Sequence, residues 1–110
     1  MSRDFLGEFE ELVLTMVAIL NEDAYGNAIV SEIKQRVARE CNLSAVHVTL
    51  YRLEDKGLIK SFMGGATNAR GGRRKRIFTI TNAGLGMLRE MKESRLELWK
   101  HIPQLKFKSF

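Results

Sequence analysis

The sequence predicts a mainly α-helical protein of the α+β class, with the element order helix, helix, helix, hairpin, helix. Apolar residues recur at helical spacing in separate segments, and two of these segments are short and joined by a tight turn. An alternating apolar run then follows a glycine-rich, strongly basic loop, which is typical of a β-hairpin. Because 110 residues can enclose one hydrophobic core, we expect a single domain over residues 1–110.

The first helix is predicted over residues 6–20. Its apolar residues alternate steps of three and four, at Leu6, Phe9, Val13, Met16 and Leu20. Further apolar residues widen this stripe beyond one face. We therefore expect either a central helix that is buried on several sides or a helix that is partly covered by a partner chain.

The second and third helices form a helix-turn-helix candidate. Asp23, or alternatively Asn27, is expected to cap the second helix, which should run to about Glu40 with Val37 facing inward. The tight turn "CNLS" leads to Ser44, the expected N-cap of the third helix. Gly57 is the residue expected just beyond the end of that helix.

The third helix is predicted to bury Val46, Leu50 and Leu53. Its outward face then carries Ala45, Val48 and Arg52, with His47 and Thr49 beside them. Small residues at the front of a helix let its backbone approach base-pair edges in the major groove of DNA. A solvated helix surface can show the same pattern, so this interpretation depends on the elements that follow.

The hairpin is predicted from two strands, residues 58–63 and 76–81. Five cations occupy the seven positions from Arg70 to Arg76 in the loop between them. A three-helix unit followed by a hairpin is a winged helix-turn-helix. In this fold the two-stranded wing lies beside the third helix, so cations at its tip reach phosphates and the neighbouring minor groove. The alternative is a solvated basic loop.

The fourth helix should be capped by Thr81 and continue to about His101. Its apolar positions resemble an imperfect coiled-coil seam that Arg95 interrupts. We expect residues 1–80 to form the DNA-binding unit and residues 81–110 a C-terminal dimerisation helix and tail. The predicted dimer interface consists of Leu6, Phe9, Val13, Leu88, Met91, Leu98, Trp99 and Ile102.

Charge is distributed unevenly along the chain. The net charge is +5, but residues 1–23 carry −5 and the remainder carries +10. This asymmetry indicates a polyanionic partner that docks away from the N-terminus, or a basic surface that serves solubility. The lone cysteine, Cys41, cannot form an internal disulfide, and residues 12–20 are too short an apolar run to cross a bilayer. We therefore expect a cytoplasmic protein.

Metal binding and catalysis are not expected. Cys41 and His47 are two candidate ligands, whereas zinc normally takes three or four. No readable motif assembles a nucleophile, a base and an orienting group, and "GGATNARGG" lacks the lysine followed by Ser or Thr of a phosphate-binding loop. The sequence therefore predicts no enzyme, cofactor or metal site.

The residues resemble the PadR family of bacterial transcription regulators over nearly the whole chain. The resemblance is carried by "LGEFEELVL", "AYGNAI", "RLEDKGLI", "GGRRKRIFTIT" and "TNAG", in this order and spacing. It implies a homodimer that binds a roughly palindromic operator, most often as a repressor. The single C-terminal helix is similar to the short branch of the family. Family members usually have tyrosine at the position of His47 and proline at that of Asn82.

The predicted partners are double-stranded DNA and a second copy of the chain. The predicted DNA-binding residues are Tyr25, Ala45, His47, Val48, Thr49, Arg52, Arg70, Arg73, Arg74 and Lys75. The resemblance also implies a pocket at the dimer centre, where Trp99 would contact a small planar apolar effector; alternatively Trp99 only packs the interface. A different function remains open, in which the wing of a protein-interaction module contacts an acidic protein surface.

Overall fold

A computed structural model describes residues 5–64 and 74–103. The helices are α1 (Glu8–Leu20), α2 (Gly26–Val37), α3 (Leu43–Asp55) and α4 (Asn82–Lys100), and a short 3-10 turn (Asn21–Asp23) lies between the first two. Strands β1 (Ile59–Met63) and β2 (Arg76–Ile80) precede α4. This order confirms the predicted winged helix-turn-helix with its two-stranded wing.

Helix α1 lies at the centre of the fold. It packs against α2, α3, α4 and β2, and Val13, Leu14, Met16 and Val17 on it are buried. The core that surrounds it includes Phe78 from β2. Of the two explanations left open for its wide apolar stripe, the structure supports a helix buried on several sides within its own chain.

Helix α2 differs from its predicted bounds at both ends. Its N-cap is Tyr25, which makes no side-chain cap, and Asp23 lies in the preceding 3-10 turn. At the other end Ala38 adopts a left-handed backbone with φ of 53°. The helix therefore stops three residues before Glu40, and Val37 is 49% exposed rather than inward.

Helix α3 begins earlier than predicted and ends as predicted. The Asn42 side chain caps it by accepting a hydrogen bond from the Ala45 N–H at 2.7 Å, so Ser44 lies inside the helix. At its end Gly57 has a φ of 76°, a conformation that favours glycine. The Gly57 and Leu58 N–H groups donate to the Glu54 and Leu53 carbonyls, which completes a Schellman motif.

The wing is tied to the helix-turn-helix on two sides. Its strands pair antiparallel, with Ile59 opposite Ile80. The Phe78 N–H donates to the Ala24 carbonyl at 2.8 Å, which holds β2 against the segment before α2. On the other side Ser61 donates to Glu54 of α3 at 2.7 Å. These bonds fix the base of the wing relative to α2 and α3.

The start of α4 is joined to the end of α3. As predicted, Thr81 caps α4, with its hydroxyl accepting from the Gly84 N–H at 3.1 Å. The same hydroxyl donates to the Gly57 carbonyl at 2.8 Å, and the Thr81 N–H donates to the Leu58 carbonyl at 3.0 Å. The position of α4 is therefore set by the residues that terminate α3.

The acidic first turn of α1 forms ion pairs with three other parts of the fold. These pairs are Glu8 with Arg39 at 2.7 Å, Glu10 with Lys56 at 3.2 Å, and Glu11 with Arg95 at 2.6 Å. Burial alone would raise the pKa of Glu10, but the hydrogen bond from the Gly7 N–H and the Lys56 charge outweigh it and hold this pKa below its ordinary value. Several acids of the N-terminal segment thus contact bases of the same chain.

Candidate nucleic-acid interface

A groove of about 160 Å³ lies where the start of α2, the start of α3 and the base of the wing meet. It brings together three of the predicted DNA-binding residues, Tyr25, His47 and Lys75. The remaining lining residues are Gly26, Asn27, Leu43 and Arg76. The predicted adjacency of the third helix and the wing is therefore present at the base of the wing.

Gly26 permits the close approach of α3 to the start of α2. A Cβ atom at this position would lie 2.8 Å from both His47 Nε2 and Leu43 Cδ1, well inside ordinary contact. Within residues 5–64 and 74–103, no side chain caps α2, so its first N–H groups have no side-chain acceptor there. Such N–H groups, at the positive end of a helix dipole, form a favourable site for a phosphate.

Lys75 and Tyr25 make a cation–π contact across the groove. The Lys75 Nζ lies 4.1 Å from the centre of the Tyr25 ring, within the range at which such contacts are attractive. Lys75 remains exposed to solvent. The contact therefore holds a positive charge beside the first turn of α2 while leaving it accessible.

His47 turns into the groove rather than out from α3. Its Nδ1 atom is buried and has no hydrogen-bond partner among the described residues. Its ring stacks on Tyr51, with the ring centres 6.1 Å apart and the planes 26° apart. The side chain thus lies between Gly26 on one side and Tyr51 on the other.

The outward face of α3 differs from the prediction at one position. Ala45 and Arg52 are exposed, and Val48 is 50% exposed, as expected. Thr49, in contrast, is only 6% exposed. It lies three residues after the buried Val46 and faces the core, so we remove it from the predicted interface.

Tyr51 lies on this exposed face and was missed by the sequence analysis. Half of its surface is accessible. Its position three residues after Val48 and four after His47 was the available signal, because residues at these spacings share a helix face. Arg76, which lines the groove and donates to Ser61 at 2.8 Å, was also left out of the predicted set.

The predicted wing cations are only partly described. Arg74 and Lys75 are exposed. Arg70 and Arg73 lie outside the described residues. The structure therefore places the base of the basic loop next to α3, and the predictions for these two arginines stay predictions.

The predicted dimer-interface residues fall into three groups by exposure. Leu6, Val13 and Met91 are at most 7% exposed and belong to the core of their own chain, so their assignment to a partner contact is corrected. The reason is that α4 packs on α1 within one chain, where Arg95 pairs with Glu11. Phe9 and Leu88 are half-buried, whereas the remaining three residues are exposed: Leu98 by 66%, Trp99 by 68% and Ile102 by 47%.

Residues 5–64 and 74–103 contain no group of three or more His, Cys, Asp or Glu side chains that could hold a metal ion. Within the same ranges, no helix is both long and apolar enough to span a membrane.

Comparison with known proteins agrees with this geometry. A PadR family transcription regulator from Clostridium difficile is 26% identical, with a TM-score of 0.70 over 86% of this chain and 93% of the other. PadR-like regulators from Bacteroides fragilis and Bacillus cereus are each 20% identical, with TM-scores of 0.69 and 0.67 over 84% of this chain and 84% of theirs, and these support the fold. No curated protein matches the sequence.

The strongest comparison is with a whole family. Residues 14–90 match the transcriptional regulator PadR-like family, and this stretch contains the groove, the exposed face of α3 and both strands of the wing. The matched family consists of transcriptional regulators rather than enzymes. The chain therefore belongs to the PadR-like family of transcriptional regulators, whose members bind DNA.

Proposed function

We propose that this regulator acts in the cytoplasm as a homodimeric repressor that binds a roughly palindromic operator. In each half-site α3 would enter the major groove and the wing would follow the DNA backbone towards the minor groove. The observation that carries the proposal is the groove in which Tyr25, His47 and Lys75 meet at the start of α2.

A DNA phosphate is the ligand that fits this groove. The N–H groups in the first turn of α2, which the Tyr25 side chain does not cap, and the accessible Lys75 ammonium would both favour a single negative charge there. The neighbouring Arg74 would extend this contact along the backbone, followed by Arg70 and Arg73. The exposed residues of α3, namely Ala45, Val48 and Arg52, would then face the base pairs.

The test is the salt dependence of DNA binding. Replacing Arg74 and Lys75 by alanine should weaken binding to all duplexes, and each lost phosphate contact should reduce the slope of log K against log salt by about one. Binding is measured by fluorescence anisotropy at several KCl concentrations, with an operator duplex and a scrambled duplex. Lys92→Ala, which removes an exposed cation from α4, is the matched control.

An unchanged salt slope in the Arg74 and Lys75 variant would contradict the assignment of the wing. If the Arg74 and Lys75 substitutions release a bound acidic protein but leave the affinity for duplex DNA unchanged, the alternative in which the wing contacts another protein is favoured.

Dimerisation is proposed through the second half of α4. Leu98, Trp99 and Ile102 form an exposed apolar surface on one chain, and such surfaces are typical of protein interfaces. Pairing two chains there would present two copies of α3 to successive turns of DNA, about 34 Å apart.

Sedimentation velocity of the Leu98→Glu variant tests this interface. The variant should sediment as a monomer at concentrations where the wild type is a dimer, and it should lose affinity for a palindromic duplex more than for a half-site. Val37→Glu places the same charge on the exposed end of α2 and should leave the dimer intact. A wild-type monomer at micromolar concentration would contradict the proposal.

A further inference from the structure

The centre of the exposed α3 face is apolar. Val48 and Tyr51 are each 50% exposed, and Ala45 is exposed one turn before Val48. Val48 is three residues after Ala45 and Tyr51 three after Val48, so each side chain is the neighbour of the next on the helix surface. They form what we call the apolar strip of α3.

The apolar strip has few groups that could read bases through hydrogen bonds. Ala45 and Val48 have no polar side-chain atom. The Tyr51 ring is stacked on His47, and its hydroxyl is the one polar side-chain group of the strip. Arg52 is the long donor beside the strip and is exposed. Most of the strip can therefore recognise a surface only through shape and apolar contact.

The charges around the apolar strip select the kind of surface that covers it. Lys75 and Arg76 line the groove next to His47, which is the stacking partner of Tyr51. The positive charges of Lys75 and Arg76 would add little affinity for an apolar partner protein. Duplex DNA, in contrast, complements them through its phosphates. In the major groove of DNA, the apolar group that distinguishes one base from the others is the C5-methyl group of thymine.

We infer that Ala45, Val48 and Tyr51 read thymine methyl groups in each half of the operator. This inference rests on the proposed function, since it requires α3 to lie in the major groove. Specificity would then come mainly from methyl contacts by the apolar strip beside Arg52, with the groove at the start of α2 fixing the register through the backbone. The stack on His47 would hold the Tyr51 ring in place for this contact.

The experiment begins with a duplex selected from a random-sequence pool by the full-length protein. Each thymidine of the selected half-site is then replaced by deoxyuridine, which removes only the methyl group. At one or more positions, binding should weaken about fourfold for each methyl removed, the effect of exposing one buried carbon. Two further duplexes replace the same T·A pair, one by 5-methylcytosine·guanine and the other by cytosine·guanine. The protein should bind the methylated duplex more tightly.

Two matched variants assign the effect to the apolar strip. Val48→Ala should bind the thymine duplex more weakly and should lose most of the uracil penalty, because the methyl group no longer has a partner. Val37→Ala makes the same change at a site that is 49% exposed at the far end of α2, and it should keep the full penalty. Tyr51→Phe retains the ring and should also keep the penalty.

Equal affinity for the thymine and the fully uracil-substituted duplex would overturn the inference while leaving the proposed function intact. A uracil penalty that is unchanged in both Val48→Ala and Tyr51→Ala would also overturn it, since the methyl groups would then be read by other residues. Failure to select any duplex would overturn the inference together with the proposed function.

Discussion

Two glycines on α4 should respond to alanine in opposite directions. Gly84 lies in the first turn of the helix, where it packs against the end of α3. Gly86 is two residues further along. Alanine is favoured over glycine inside a helix by about 1 kcal/mol, so sequence alone predicts that both substitutions stabilise the protein. The structure predicts that only Gly86→Ala does.

The difference follows from what each new methyl group would contact. A Cβ atom on Gly84 would lie 2.2 Å from the Leu58 carbonyl oxygen and 2.6 Å from Ile80 Cγ1, whereas a Cβ atom on Gly86 would meet nothing within 4 Å. The Leu58 carbonyl is backbone and cannot rotate away. To restore ordinary contact, the start of α4 must therefore move by roughly 1 Å.

This movement has a cost that can be estimated. Overpacking costs about 1–3 kcal/mol. The two hydrogen bonds that Thr81 makes to Gly57 and Leu58 would be weakened or lost, at about 1 kcal/mol each. After subtracting the helix-propensity gain of about 1 kcal/mol, Gly84→Ala should destabilise the fold by about 2–4 kcal/mol. Gly86→Ala should stabilise it by about 0.5–1 kcal/mol.

Thermal unfolding followed by circular dichroism separates these outcomes. One kcal/mol corresponds to about 4–8 °C in domains of roughly this size, so Gly84→Ala should lower the Tm by about 8–32 °C, while Gly86→Ala should raise it by a few degrees. All samples need the same protein concentration, because dimerisation would shift the Tm. A Gly84→Ala variant as stable as Gly86→Ala would refute the close packing of α4 on Leu58.

Three further predictions concern the ion pairs, the groove and α4. Glu10→Gln should lower the free energy of unfolding near neutral pH, because Gly7 and Lys56 hold the pKa of the carboxyl below its ordinary value despite its burial. In urea titrations, the difference from wild type should disappear as the pH falls through that lowered pKa. Gly26→Ala should displace the His47 side chain and weaken DNA binding in anisotropy titrations, with only a small change in Tm, because the atoms it meets belong to side chains. If a planar apolar effector binds at the dimer centre, a planar cationic dye should quench Trp99 emission; unchanged emission would contradict that pocket.

Much of the fold could be predicted because its signals are local. The buried positions Val46, Leu50 and Leu53 follow from helical spacing. The left-handed conformation of Gly57 and the cap at Thr81 follow from the residue types favoured at helix ends. Each of these features depends on a few consecutive residues, which is the range over which spacing and capping preferences act.

Choices between nearby residues required the tertiary structure. Asn42 and Ser44 are both good N-caps, and local preference does not decide between them. Starting α3 at Asn42 places Leu43 inside the helix, where it packs against Gly26. Thr49 was misplaced for another reason. It was grouped with the outward-facing Val48 beside it in the sequence, whereas it lies three residues after the buried Val46 and is itself buried.

The predicted dimer interface shows a different limit. Helical spacing identifies an apolar face, but it does not identify the surface that covers that face. Val13 and Met91 are buried by their own chain. Leu98 and Trp99, in contrast, remain mostly exposed among the described residues. The same periodic pattern therefore contains a core residue, Met91, in the middle of α4 and an exposed apolar surface near its C-terminal end.

The charge asymmetry of the sequence has a structural explanation that the net charge of +5 does not reveal. Glu8, Glu10 and Glu11 lie within hydrogen-bonding distance of bases from three other segments. Exposed pairs of this kind contribute little stability, typically about 0–1 kcal/mol each. Their larger effect is to cancel positive charge around the first turn of α1.

Lys75 is in a different situation, because it lies over the neutral ring of Tyr25 and no carboxylate among the described residues pairs with it. Its charge, like that of the exposed Arg74, therefore remains available. The acids in the first turn of α1 therefore pair with other bases, while Lys75 and Arg74 keep accessible positive charge at the base of the wing. A polyanion would then be attracted to the side that carries the groove and α3, although the protein as a whole is only moderately basic.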